Sequence, residues 1–196
     1  MTLDHNLSDA LAALAEVRSL YWQHQHASPW SRDENLERQL ADAWAAVAAQ
    51  VAPQELVVPV AGPPQCDVGA PSPVLVAGAE GTSVAYDRQD GERCLLTFRN
   101  VDSVLFGGSN DEALSGHRLW GRGLQFYAFQ EVINSAWIAQ RETENSVHEY
   151  HHGGWHARLR HFIYTFHDET LECIAADFVV DDPDSASPAA LAALSM

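Results

Sequence analysis

Residues 160–167 alternate. Phe162, Tyr164 and Phe166 point one way, and His161, Ile163, Thr165 and His167 point the other. A period of two is the repeat of a β-strand, whose successive side chains face opposite sides of a sheet. His167-Asp168-Glu169-Thr170 supplies the turn, and Leu171 to Val180 is a return strand. This ribbon commits the second half of the chain to an antiparallel sheet. Upstream, Ser83 to Tyr86 and Arg93 to Arg99 flank Asp90-Gly91, a hairpin signal. Val101 to Phe106 continues the apolar content, and Leu124 to Ile133 reads as a strand apolar on both faces, hence central.

The N-terminal part has a different period. Leu7, Leu11, Leu14, Val17 and Tyr21 follow helical spacing, with Ser8 as the expected cap of a helix running to about Gln23. A second helix is expected from Ser31, with Glu34 completing a capping box. Its stripe is Leu36, Leu40, Trp44, Val47 and Val51. A weaker stripe predicts a helix over 134–148, begun by Asn134 or Ser135. The fold class expected is α+β: an antiparallel β-sheet domain with an N-terminal helical hairpin. The organisation expected is a helical hairpin over 1–52, a Pro/Gly-rich linker with one edge strand over 53–81, a β-rich domain over 82–180, and an acidic, Ala-rich tail over 181–196.

What is missing excludes several chemistries. All eleven basic residues among the 196 are arginine. Without lysine there is no Schiff base, no lysine-anchored pyridoxal phosphate, no Walker A phosphate loop and no protein-kinase lysine. The net charge of −16 is spread along the chain and repels phosphate backbones, so nucleic acid is not an expected partner. There is no run of 18 apolar residues and the N-terminus is acidic, so no membrane partner is expected and the cytoplasm is the expected location. Cys66, Cys94 and Cys173 are far apart and form no Cys-x-x-Cys pair. Gly-x-Ser-x-Gly and Gly-x-Gly-x-x-Gly are absent.

Three places remain for chemistry. His148-Glu149-Tyr150-His151-His152 matches the zincin spacing, which puts His148 and His152 on one helix face as metal ligands. Gly153-Gly154 follows at once, where a ligand helix needs to continue, so a solvated histidine-rich loop is the plainer reading. The second place is the glycine-flanked loop 107–123, with Asn110, Asp111, Glu112, His117 and Arg122. Its plain alternative is turn chemistry. The third is the hairpin, with His161, His167 and Asp168, where Asp168 fixes a tautomer of His167 or, on the plainer reading, makes the turn while the histidines hydrogen-bond in or near the core. At about 3.3 Å per residue, His161 and His167 lie roughly 20 Å apart and cannot share one metal.

Three blocks of this sequence, Gly107 to His117, Asn134 to Ile138 and Arg160 to Cys173, resemble a group of small uncharacterised bacterial proteins. The resemblance covers about 93 to 178. It implies one compact domain with that core and carries no activity.

The function expected is a small-molecule- or metal-binding domain with a His/carboxylate pocket. Asn110, Asp111, Glu112, His117, Arg122, His167 and Asp168 are its lining, and His117 and His167 are the ligands of any divalent metal. If the protein is an enzyme, a His–carboxylate pair performs general acid/base work. The alternative is an acidic interaction module that captures a basic protein, as an immunity-type inhibitor does.

Overall fold

The computed structural model describes residues 4–29, 31–69, 72–78, 81–151 and 154–181. Among them are three α-helices and nine strands in two antiparallel sheets, so the chain is α+β. The strands are β1 (Leu56–Pro59), β2 (Val74–Gly78), β3 (Gly81–Asp87), β4 (Arg93–Arg99), β5 (Ser103–Gly107), β6 (Phe129–Ile133), β7 (Arg160–Thr165), β8 (Thr170–Ala175) and β9 (Asp177–Asp181). One sheet has the order β1-β6-β7-β8-β5 and the other β2-β3-β4-β9.

Compactness divides the chain along other lines than composition does. One unit holds the residues up to Leu56 together with Ile133–Leu159. The other holds Val57–Val132 and the chain from Arg160 on.

In the first unit, α1 (His5–Ala27) and α2 (Glu34–Val51) form the expected helical hairpin. Leu7, Leu14, Tyr21, Leu40 and Val47 are its buried stripe residues. The caps differ from those expected. Asp4 rather than Ser8 caps α1, and Asp33 rather than Ser31 caps α2, accepting from the Asn35 and Leu36 amides at 3.1 and 3.0 Å. An aspartate beside the first free amides serves as well as a serine and adds a charge that the helix N-terminus favours. The third helix, α3 (Ala136–Asn145), begins at the Ser135 cap, as one of the two expected starts had it.

The second unit is built on the ribbon. Phe162, Tyr164 and Phe166 do share one face, where they meet Tyr86, Leu96 and Phe98 of the other sheet. Phe98 and Phe162 rings are 5.7 Å apart and Tyr86 and Tyr164 rings 5.2 Å apart, in the tilted and edge-on arrangements aromatic pairs favour. The core is therefore the space between two sheets.

Three strand expectations are corrected. The return strand does not run to Val180. It stops at Ala175, the Ala176 amide turns to the Arg99 carbonyl at 3.0 Å, and β9 joins the other sheet beside β4. Leu124 to Ile133 is strand only from Phe129, and β6 is an interior strand, between β1 and β7. Phe129 faces the inter-sheet core and Val132 the opposite cluster, so β6 is covered on both faces. The stretch 53–81 carries two strands, β1 and β2, each at a sheet edge, where proline is tolerated. The expected tail over 181–196 lies outside the described residues after Asp181.

Candidate functional site

Two polar clusters sit on the β7–β8 hairpin, one on its face and one at its tip. Both draw on the loop 107–123.

The cluster on the face is centred on Glu172. Strand alternation sends Leu171, Cys173 and Ala175 into the inter-sheet core and Glu172 to the opposite face, in register with Ile163 of β7 and Leu105 of β5. His161, two residues from Ile163, shares that face. Its Nε2 lies 3.0 Å from Glu172 Oε2, and His117 Nε2 lies 3.5 Å from Oε1. Arg118 donates to Oε2 at 2.6 Å. Burial alone would raise the Glu172 carboxyl. The two imidazoles and the guanidinium outweigh it and hold the group well below the usual carboxylate range. Beside this cluster the face is sealed by Val57, Leu114, Leu119, Leu124, Val132 and Ile163. The arrangement fastens the loop to the sheet through a buried charge network.

The cluster at the tip is more open. The Asp111 amide donates to the His167 carbonyl at 2.9 Å, and the Thr170 hydroxyl donates to the Ser109 carbonyl at 2.9 Å. These bonds dock the loop onto the hairpin end. Tyr127, a non-glycine residue at φ 52°, donates its hydroxyl to Asp111 Oδ2 at 2.5 Å. His167 Nε2 lies 3.8 Å from the same oxygen, and its Nδ1 lies 2.9 Å from Asp168 Oδ1. The Asp168 bond, then the Asp111 charge, raises the His167 imidazole above its ordinary value. Asp111 in turn pushes the Tyr127 phenol up to about 12, and the Tyr127 bond lowers Asp111. Next to His167 and Asp168 is a narrow cleft, walled by Asp67, Asp87 and Phe166, with room for about one water-sized group. Asp87 is paired with Arg93 at 2.9 Å, and the Asp67 carboxylate accepts from the Gly69 amide at 2.9 Å.

The structure therefore brings Asp111, His167 and Asp168 together and sends His117 to Glu172. Glu172 lies opposite Ile163, four residues before His167 on the ribbon. That is roughly 13 Å along the strand, so His117 and His167 belong to different clusters. Asn110 holds the loop's own turn by accepting from the Ala113 amide at 3.0 Å. Glu112 is exposed, and the Arg122 carbonyl accepts from the Val57 amide at 2.8 Å. Tyr127 and Glu172 join these clusters without having been singled out as site residues, and His161 and Arg118 join the cluster on the face. The alternation of β7 and β8 places His161 and Glu172 on one face, which is legible in hindsight. Nothing local marks Tyr127.

The zincin reading fails on local structure. The helix ends at Asn145, and Ser146 to Tyr150 are turns, so His148 is not on a helix. His152 lies outside the described residues. What organises this stretch is Glu142, whose carboxylate takes the Gly154 and His156 amides at 2.9 and 2.8 Å and contacts the rings of His151 and His156 at 3.0 and 2.9 Å. Among the described residues, no group of three or more His, Cys, Asp or Glu side chains is placed to hold a metal ion. Cys66, Cys94 and Cys173 are free and buried, and burial pushes all three thiols up, Cys66 to about 11, so none is an activated nucleophile.

Among known proteins, no family model matches the chain, and neither a curated protein nor a solved structure does. No described helix is long and apolar enough to cross a membrane.

Proposed function

We propose that this chain is a small-molecule-binding domain whose His/carboxylate site, at the tip of the β7–β8 hairpin, holds a compact cationic group such as an ammonium or a guanidinium. The observation that carries the reading is the position of His167 between two carboxylates from different elements, Asp168 of its own turn and Asp111 of the loop, beside a cleft that Asp67 also lines. Asp67, Asp87 and Asp168 line the cleft beside His167, with Asp111 at the other nitrogen of that ring and Arg93 paired to Asp87, so carboxylates outnumber basic side chains in this set, an excess of acceptors over donors. A ligand that brings N–H donors and positive charge satisfies that excess. The cleft has room for about one water-sized group, so it admits one N–H group of the cation while the rest of the headgroup stays at its mouth. Free buried thiols suit a reducing compartment, in keeping with a place in the cytoplasm.

The test is a titration of the wild-type protein with methylguanidinium and methylammonium, followed by the ring resonances of His167. Saturable shifts at about millimolar ligand, absent in Asp168→Asn, support the reading. Wild-type resonances that do not saturate overturn it. Stoichiometric capture of zinc or manganese at the same ring would instead assign the site to a divalent metal.

A further inference from the structure

Next to the tip site, two large aromatic rings stand out of the surface. Trp120 is 42% exposed and Phe126 is 43% exposed, and their rings meet edge-on at 5.6 Å. Their exposure is not slack in the loop. Leu119 and Leu124, which bracket Trp120 in sequence and precede Phe126, are buried at 0% and 8%. The backbone between is locked by the bonds Trp120 amide to His117 carbonyl and Arg122 amide to Leu119 carbonyl. Gly123, at φ 105°, passes so close to the Val57 carbonyl that no side chain fits there. The fold thus anchors the turn through leucines and leaves the aromatic pair exposed and in contact with each other.

The pair is continuous with the carboxylates. Phe126 packs on Tyr127 with ring centroids 6.1 Å apart, and Tyr127 bonds Asp111, which reaches His167 and through it Asp168. Arg118 and Arg122 flank Trp120 in sequence, and Arg118 is engaged by Glu172. An aromatic shelf that runs into a cluster of carboxylates is complementary to arginine above other side chains. A guanidinium stacks on an aromatic face and forms paired bonds to a carboxylate, whereas an ammonium is a hydrated point charge. Exposed Trp and Phe rings, with two χ angles each, also supply contact area at little entropic cost.

We infer that the Trp120–Phe126 shelf and the Asp111–Asp168 carboxylates form one docking surface for an arginine-bearing segment of a basic protein partner. This inference rests on the proposed cation site and extends it from a headgroup to a polypeptide. The net charge of −16 favours the encounter with such a partner over long range.

The probes are an octa-arginine peptide, an octa-lysine peptide and methylguanidinium, each titrated into the full chain with calorimetry and tryptophan fluorescence. The arginine peptide is expected to bind at least tenfold tighter than the lysine peptide. Trp120→Ala with Phe126→Ala should weaken the arginine peptide about tenfold, the size of one desolvated cation–π contact plus lost packing, and leave methylguanidinium binding at Asp168 unchanged, because the rings take a second arginine of the peptide. Asp168→Asn should weaken both ligands. Equal binding of the two peptides, or an aromatic double variant that binds octa-arginine as the wild type does, overturns the inference and leaves the cation site standing. Failure of methylguanidinium and both peptides overturns the two together. An unchanged thermal melt of the double variant confirms that the folded protein is being compared.

Discussion

The imidazole of His161 has no exposed surface and lies 3.0 Å from the carboxylate of Glu172. Two ionisable groups buried in contact near the middle of a sheet face are costly to place there and costly to separate. Glu172→Ala leaves His161, His117 and Arg118 facing a gap, and we expect a loss of about 3 kcal/mol, read from urea unfolding at pH 7. A loss below 1 kcal/mol would mean that the network does not hold the loop.

The same carboxylate sets a pH dependence. Its folded value is depressed, so its contribution is fully present above 4.5, the ordinary value, and is lost as pH falls below it. Between pH 6 and pH 3 the wild type should lose more stability than Glu172→Gln. Parallel losses in the two proteins would contradict this.

His167 behaves in the opposite sense. Its folded value is raised, so stability from its pairing is present below 6.5 and disappears as pH rises through the folded value. By NMR, His167 should titrate above 6.5 in the wild type and move down in Asp168→Asn, and to a smaller extent in Asp111→Asn. The Asp111 variant should also return the Tyr127 phenol from about 12 toward 10. An unmoved Tyr127 in that variant would remove Asp111 as the cause.

Gly123 tests how the loop is fixed. A Cβ there would lie 2.3 Å from the Val57 carbonyl oxygen, on backbone at φ 105°. Gly123→Ala should cost about 3 kcal/mol, through clash and strain together. Gly116→Ala, where nothing lies within 4 Å, should change stability by less than about 1 kcal/mol. Similar melting temperatures for the two variants would refute the close approach.

The α2 cap separates two readings of one sequence. Asp33→Ala should destabilise the helical hairpin by about 1 kcal/mol, while Ser31→Ala should leave it unchanged. Helix content followed by circular dichroism on heating decides between them.

Periodicity and turn chemistry are local properties, so they were legible along the chain. The stripe of Leu7, Leu14 and Tyr21, the Asp90-Gly91 hairpin and the aromatic face of Phe162, Tyr164 and Phe166 all stand where their spacing puts them. The meeting of loop and hairpin tip was also anticipated, and Asp111 does reach His167. The position of His117 was not. Its partner, Glu172, is 55 residues away and reads in sequence as one more polar residue in an apolar strand.

By itself, then, the order of residues determined the element types, the faces they bury and the absence of lysine-dependent chemistry. These depend on neighbours a few positions away and on composition. Which charges meet was decided only by the tertiary structure. The switch of the chain at Ala176 from one sheet to the other, and the docking of the loop on the hairpin, set contacts between residues tens of positions apart, and a buried carboxylate takes whichever cations the packing delivers to it.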